Sequence, residues 1–222
     1  MIQHIKKIIQ PLIWRLYKSY YAVPRWYDYQ GLHIRILPTV FHPGWFYSTK
    51  TLLDFIALRD LKNKKILELG AGSGLISVYA SRQGAECTAS DINPIAIKAI
   101  YESQFKNNVR LHLIESDLFD NIPLQKFDYI LINPPYFPKD PKDSWDQAFY
   151  CGDHFEYFHK LYSQIKAFLF ETTTPYMILN EYCNLAAIES IASHYGIQLE
   201  LTQSKSVYAE KQYIFKLVNL KE

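Results

Sequence analysis

The sequence predicts an α/β fold of three layers: a mainly parallel sheet covered on both faces by helices, with an antiparallel last strand. Three observations carry this. From Lys64 to His194 short apolar runs alternate with segments of helical periodicity, the rhythm of parallel strands joined by crossover helices. Two final strand-like stretches, Gln198 to Thr202 and Val207 to Leu217, are separated by a polar turn, Gln203 to Ser206, with no helix between them, which makes a hairpin and reverses the last strand. The chain has 222 residues, 49% of them hydrophobic, and a net charge of +2, enough for one full core and too few for two large ones.

Residues 1–45 read as an N-terminal extension and residues 46–222 as the main domain. The first 25 residues hold five Lys or Arg and no Asp or Glu. Ile2, Ile5, Ile9, Leu12, Ile13 and Leu16 recur at helical spacing, broken or kinked at Pro11. This predicts a short amphipathic helix on the main domain; a basic arm interleaved with Trp14, Tyr17, Tyr20, Tyr21 and Trp26, able to grip RNA or an acidic protein, is the alternative. Leu32 to Leu37 alternates like a strand and pairs with Trp26 to Tyr29 in a hairpin. A helix is expected over residues 49–61. Then come strand Lys65 to Leu69, helix Leu75 to Gln83, strand Ala85 to Ser90, and helix Pro94 to Lys106, opened by a proline in its first turn. Strands Val109 to Ile114 and Phe127 to Ile132 follow. Helix His154 to Phe170, strand Pro175 to Leu179 and helix Asn184 to His194 lead into the terminal hairpin.

Cys87, Cys151 and Cys183 are odd in number, far apart and without a Cys-x-x-Cys or Cys/His cluster. Neither a disulfide framework nor a metal site is expected, and a reducing cytoplasm is the simplest location. No run approaches the roughly 18 apolar residues that span a bilayer, and Lys6, Lys7, Arg15 and Lys18 interrupt the apolar N-terminus without a cleavage site, unlike a signal peptide.

Glu68-Leu-Gly70-Ala-Gly72-Ser-Gly74 lies between the first strand of the alternating region and its helix. Glycines there let the backbone turn tightly and let a ligand lie on bare main chain beside a helix N-terminus. The dinucleotide fingerprint wants its third Gly or Ala five residues after the first, where this chain has Leu75. Asp91, with Ile92 beside it, ends the next strand; a carboxylate there accepts bonds from ribose hydroxyls in several cofactor classes. Its plain structural reading is a helix cap, for which Asn93, just before Pro94, is better placed. Asp117 and Leu118 follow the third strand, where a carboxylate can take the amino group of an adenine; an ordinary loop aspartate is the plain reading. All three acidic positions fall at strand C-termini, where open α/β sheets collect ligands.

Asn133-Pro134-Pro135-Tyr136 ends the fourth strand of the same region. Two prolines cannot continue a helix or donate to a ladder, and each pushes its predecessor to extended geometry. Asn133 is thereby held out over the strand ends. Its side-chain oxygen and the Pro134 carbonyl form two neutral acceptors suited to a planar –NH2 group, whose lone pair they would draw out of conjugation. Tyr136 offers a face on which a flat amide or base can stack. Such a site works by positioning and electrostatics, without a strong base or a metal.

These segments, with Ser90-Asp-Ile-Asn-Pro94 and Glu115-Ser-Asp-Leu-Phe119, resemble the HemK-type N-methyltransferases, a class I branch dependent on S-adenosylmethionine (SAM). Val40-Phe-His-Pro43 and Tyr208 to Lys216 are most similar to the short HemK2-like form. The resemblance implies a Rossmann-like methyltransferase fold with a seven-stranded sheet. It also implies that Glu68, Gly70, Gly72 and Gly74 bind the methionine part of SAM, Asp91 with Ile92 the ribose, and Asp117 with Leu118 the adenine. Asn133, which also borders the cofactor, Pro134 and Tyr136 would hold the target. Some 40 residues are too few for the N-terminal domain with which longer HemK enzymes grasp a release factor, and Phe137 to Gly152 follows no assignable pattern. The expected acceptor is macromolecular: a protein glutamine or, alternatively, an exocyclic nitrogen of adenine or guanine in RNA or DNA. A small activating partner subunit is compatible with this reading, and a membrane is not. An NAD-dependent oxidoreductase and a non-catalytic SAM-binding protein are the remote alternatives.

Overall fold

The computed structural model describes residues 22–207 and 210–220. The predicted N-terminal helix and most of the basic aromatic arm lie outside the described residues. Strands β1 (Arg25–Tyr29) and β2 (Leu32–Ile36) form an antiparallel hairpin. Its two-residue turn, Gln30-Gly31, has φ of 49° and 74°, the positive values that match strand twist in tight hairpins. Helix α1 (Tyr47–Ala57) leads into β3 (Lys65–Leu69), α2 (Leu75–Arg82), β4 (Glu86–Asp91), α3 (Pro94–Lys106), β5 (Leu111–Glu115) and β6 (Tyr129–Ile132). After a 3-10 turn at Asp146–Ala148 come α4 (Glu156–Ile165), extended by a 3-10 turn at Lys166–Phe168, then β7 (Thr174–Asn180), α5 (Leu185–His194), β8 (Ile197–Val207) and β9 (Glu210–Asn219).

The sheet has seven strands in the order β5-β4-β3-β6-β7-β9-β8. Strands β3 to β7 are mutually parallel, and β9 runs antiparallel to both β7 and β8. The last strand is therefore reversed, as expected, and it inserts inside the sheet to leave β8 on the edge. The predicted turn at Gln203 to Ser206 is corrected: these residues belong to β8 and pair with Ile214 back to Lys211. On a solvated edge strand polar residues are tolerated along most of the length, and a register shift between Leu201 and Gln203 takes up the irregularity. The connection to β9 crosses residues 208 and 209, outside the described set.

Alternation along the strands builds the three layers. Ile66, Leu131, Ile178 and Ile214 point to one face, against α1, α2, Ile100 of α3 and the inner hairpin residues Leu32, Ile34 and Ile36. Leu67, Leu69, Ile130, Ile132, Met177, Leu179 and Phe215 point to the other, against Phe158, Leu161 and Tyr162 of α4 and Ile188 of α5. Chain order reverses between β3 and β6: β4 and β5 lie on one side, β6 and β7 on the other. Loops leaving β3 and β6 therefore diverge and open a crevice above the strand ends, where such sheets bind ligands. Among the described residues, no helix is long and apolar enough to cross a membrane.

Candidate functional site

A cavity of about 420 Å³ occupies that crevice. Ten of the positions read from the sequence line it: Glu68, Gly70, Gly72, Asp91, Ile92, Asp117, Leu118, Asn133, Pro134 and Tyr136. Gly74 is not brought there. It starts α2 with φ +69°, and a Cβ on it would stand 2.7 Å from Ile100 Cγ1. Its lack of a side chain lets α2 pack against α3.

The glycine loop is shaped from below by carboxylates. The Ser77 amide and hydroxyl donate to Glu68 Oε2 at 2.8 and 2.5 Å. Glu68 is 6% exposed, and burial, offset in part by Ser77 and reinforced by Asp91, pushes its carboxyl up to about 7. The Gly72 amide donates to Asp91 Oδ2 at 2.7 Å and the Asn93 amide to Oδ1 at 2.8 Å. Asp91 thus clamps the loop, while burial holds its carboxyl above the usual range. The helix cap is Asn93, whose side chain accepts from Ile95 N–H at 3.0 Å with Pro94 in the first turn. Gly70 has φ +69°, and a Cβ there would meet no atom within 4 Å, so the loop leaves open space above its backbone.

The third strand end is more constrained than its sequence suggests. Leu118 is buried at φ +52°, a left-handed conformation that costs a branched residue roughly 1–2 kcal/mol. Ser116 Oγ donates to its carbonyl at 2.8 Å. The Asp117 carboxylate is bridged by Lys160 Nζ at 2.6 Å, and the same ammonium reaches Asp120 at 2.7 Å. Lys160 and Tyr157, one turn apart on α4, both line the cavity. Burial, and then the negative charges of Asp91 and Asp117, push the Tyr157 phenol up.

At the end of β6, Asn133 Nδ2 donates to Thr49 Oγ1 at 3.3 Å. Thr49, 6% exposed, itself lines the cavity, so the amide nitrogen has a protein partner while the side-chain oxygen has no hydrogen-bond partner among the described residues. Among the described residues no backbone hydrogen bond outside helices and strands ends on the Pro134 carbonyl. The Tyr136 hydroxyl accepts from Asn180 Nδ2 at 2.9 Å, and burial pushes its phenol well up. Phe137 to Gly152, unassigned from sequence, folds back on itself. Phe137 N–H donates to the Phe149 carbonyl at 3.1 Å and Cys151 N–H to the Phe137 carbonyl at 3.0 Å. This returns Phe149 to Phe41 and Phe46, with ring centroids 5.8 and 5.5 Å away, and the three rings wall the cavity.

Sequence reading missed Thr49, Tyr157, Lys160, Asn180 and the aromatic wall. Thr49 had a signal, since Ser48, Thr49 and Thr51 are hydroxyls among the buried residues of a helix whose other buried side chains are apolar. Phe41 lies in the Val40 to Pro43 segment, whereas Tyr157, Lys160 and Asn180 come from segments that match no motif read from the sequence.

The model of the family described as "Methyltransferase small domain" matches residues 31–148. A Methanocaldococcus jannaschii protein named for protein N5-glutamine methyltransferase activity is 39% identical over 120 residues, 54% of this chain and 58% of the relative. A release factor glutamine methyltransferase of Streptococcus pneumoniae is 30% identical over 116 residues, 51% of this chain and 40% of the relative. The matched segment thus spans about half the length of these relatives. Among solved structures, the E. cuniculi Mtq2–Trm112 complex, described as responsible for methylation of the eRF1 translation termination factor, superposes with a TM-score of 0.61 at 21% identity. That match covers 82% of this chain and 99% of the other and shows a shared fold.

Proposed function

The chain belongs to the methyltransferase small-domain family, and on that premise we propose that it is a SAM-dependent N-methyltransferase whose acceptor is a protein glutamine. The observation that carries the reading is the turned amide of Asn133. With its nitrogen bound to Thr49, its oxygen and the Pro134 carbonyl form paired neutral acceptors beside the glycine loop.

The residues present fit SAM. Glu68 is a buried carboxylate on the cavity wall with no cation among its hydrogen-bond partners in the described residues, which suits the ammonium of a methionine moiety. Asp91 spends one acceptor site on each oxygen and keeps others for ribose hydroxyls. Asp117 and Leu118 stand where the adenine would lie. When bound, SAM supplies an electrophilic methyl group. The protein's part is to hold a weakly nucleophilic amide. Asn133 Oδ1 and Pro134 O would each take one N–H of the acceptor, draw the lone pair out of conjugation and aim it along the line of transfer. The Tyr136 ring supports the amide plane. The N–C bond would form as the sulfonium S–CH3 bond breaks, with S-adenosylhomocysteine as the leaving group, and the proton lost from nitrogen would pass through one of these acceptors to water. Positioning of this kind accelerates reactions without an ionised base.

The relatives named for release factors make a polypeptide release factor the first acceptor to test, and the likeness to Mtq2 adds a small activating partner to the reading. The free, buried thiols of Cys87, Cys151 and Cys183 suit a reducing cytoplasm. Labelled methyl from SAM should pass to an extract lacking the enzyme and be released by protease. It should pass to a purified release factor, and Asn133→Ala should abolish transfer while S-adenosylhomocysteine still binds. Release by nuclease alone would replace this reading with base methylation.

A further inference from the structure

Asn180 closes β7 deep beneath the acceptor side of the cavity, 2% exposed, with Gln212 of β9 as its register partner. Its side-chain nitrogen makes two bonds, to the Tyr136 hydroxyl at 2.9 Å and to Glu210 Oε1 at 2.7 Å. Its side-chain oxygen accepts from Tyr182 N–H at 3.1 Å and from Cys183 Sγ at 3.4 Å. Gln212, 1% exposed, donates to the same Glu210 oxygen at 2.6 Å. Two polar side chains, Asn180 and Gln212, are thus buried at the junction of β7 and β9 beside the half-buried Glu210, where apolar residues would pack at lower cost. Tyr182 and Cys183, just beyond β7, hold the Asn180 oxygen, and toward the cavity the group bonds to the Tyr136 hydroxyl.

We infer that Asn180, oriented by Glu210, is a positioning residue that fixes the Tyr136 ring and through it the geometry of the acceptor pocket. The inference rests on the methyl-transfer reading above and deepens it. Tyr136 directly follows the Pro-Pro pair that sets Asn133 and Pro134. A ring anchored at its hydroxyl cannot swing about its Cα–Cβ bond, so the face that lines the cavity stays at a fixed distance from the two acceptors. The tether also joins the acceptor side to the start of β9, which no residue of the glycine loop touches in this network. The cofactor side, held by Glu68, Asp91 and Ser77, has its own bonds. Loss of the tether therefore acts on the acceptor and spares the cofactor.

A double-mutant cycle tests this. Asn180→Ala should lower kcat/KM for the acceptor by roughly 10- to 100-fold, the cost of one hydrogen bond made in a buried network. Tyr136→Phe should lower it similarly. In the Tyr136→Phe background Asn180→Ala should change it by less than about twofold. S-adenosylhomocysteine affinity should stay within about threefold throughout. Glu210→Gln keeps an acceptor oxygen and should retain activity, whereas Glu210→Ala should not; this pair carries the test if Asn180→Ala does not fold. Full additivity in the cycle, or a loss confined to cofactor affinity, would overturn the inference. In protein labelled with [4-13C]tyrosine, Asn180→Ala should shift the Tyr136 ring-carbon resonance, and an unmoved resonance would also overturn it. Failure of the underlying function looks different: the wild type would bind S-adenosylhomocysteine, show the resonance shift on substitution, and methylate no acceptor.

Discussion

Replacing Glu68 by glutamine separates what this carboxylate costs the fold from what it gives the site. Gln keeps the shape and an oxygen to accept from the Ser77 amide and hydroxyl. Only the charge is lost. Burial raises the Glu68 carboxyl from 4.5 to about 7, so the unfolded chain gives up this proton more readily than the folded one. Between those two values the folded state binds more protons, and stability falls as pH rises. A gap of that size corresponds to on the order of 3 kcal/mol lost by pH 8. For a domain of this length that is roughly 6–12 °C in Tm. Glu68→Gln, free of this penalty, should therefore melt higher than the wild type at pH 8 without ligand, and the difference should shrink toward pH 5.

Ligand binding should run the other way. The ionised carboxylate is the form that pairs with an ammonium, so wild-type affinity for S-adenosylhomocysteine should weaken about tenfold from pH 8 to pH 6, as the group protonates through 7. Glu68→Gln should bind about 10- to 100-fold more weakly at pH 8, the worth of a charge-assisted bond, and with little pH dependence over that range. Differential scanning fluorimetry and calorimetry on the two proteins check both halves. A Glu68→Gln variant that melts no higher at pH 8, or a gap that does not narrow toward pH 5, would refute the charge argument.

Thr49→Val removes the acceptor that turns Asn133. It should cut methyl transfer about tenfold, one neutral hydrogen bond's worth, while S-adenosylhomocysteine affinity holds and Thr49→Ser restores the rate; equal losses in both variants would reject the orienting role. Gly74→Ala places a methyl group at φ +69° against Ile100 and should cost about 2–4 kcal/mol in urea unfolding. The folded protein should keep its ligand affinity, and an affinity loss without a stability loss would return Gly74 to the binding surface.

The glycine-loop half of the cavity, proposed above for the cofactor, is legible in the sequence because its parts are local. Glu68 to Gly72 are consecutive, Asp91 ends β4, and Asp117 stands two residues past the end of β5. Helix α3 begins at Pro94 and ends at Lys106, as read, because Asn93-Pro94 is strong punctuation. Gly74 belongs to the same glycine cluster yet packs on Ile100, since spacing alone does not distinguish a glycine that admits a ligand from one that admits a helix. The terminal hairpin was legible in kind and not in place. Gln203 to Ser206 is polar enough to suggest a turn, but an edge strand has one side free, so its burial alternates weakly and its end leaves little trace.

The half around Asn133, proposed above for the acceptor, resists such reading for a physical reason. Asn133 is visible because two prolines follow it, but the groups that orient it and its neighbours come from across the fold. Thr49 is 84 residues away in sequence, and Asn180 is 44 from Tyr136. Neither is part of a pattern, because their roles depend on a distance that only the folded sheet creates. Asn180 reads as the polar end of an apolar strand, and Glu210 as one charge among several near the start of the last strand. Insertion of β9 beside β7 turns these two bland positions into bonded neighbours below Tyr136. The glycine loop makes its principal bonds within its own strand–helix unit and the adjoining strand end, so it depends on few distant elements. On the proposed function, discrimination among flat –NH2 acceptors would rest on the part of the site assembled from the most distant pieces of chain, and substitutions at β7 and β9 should alter acceptor choice before they alter cofactor binding.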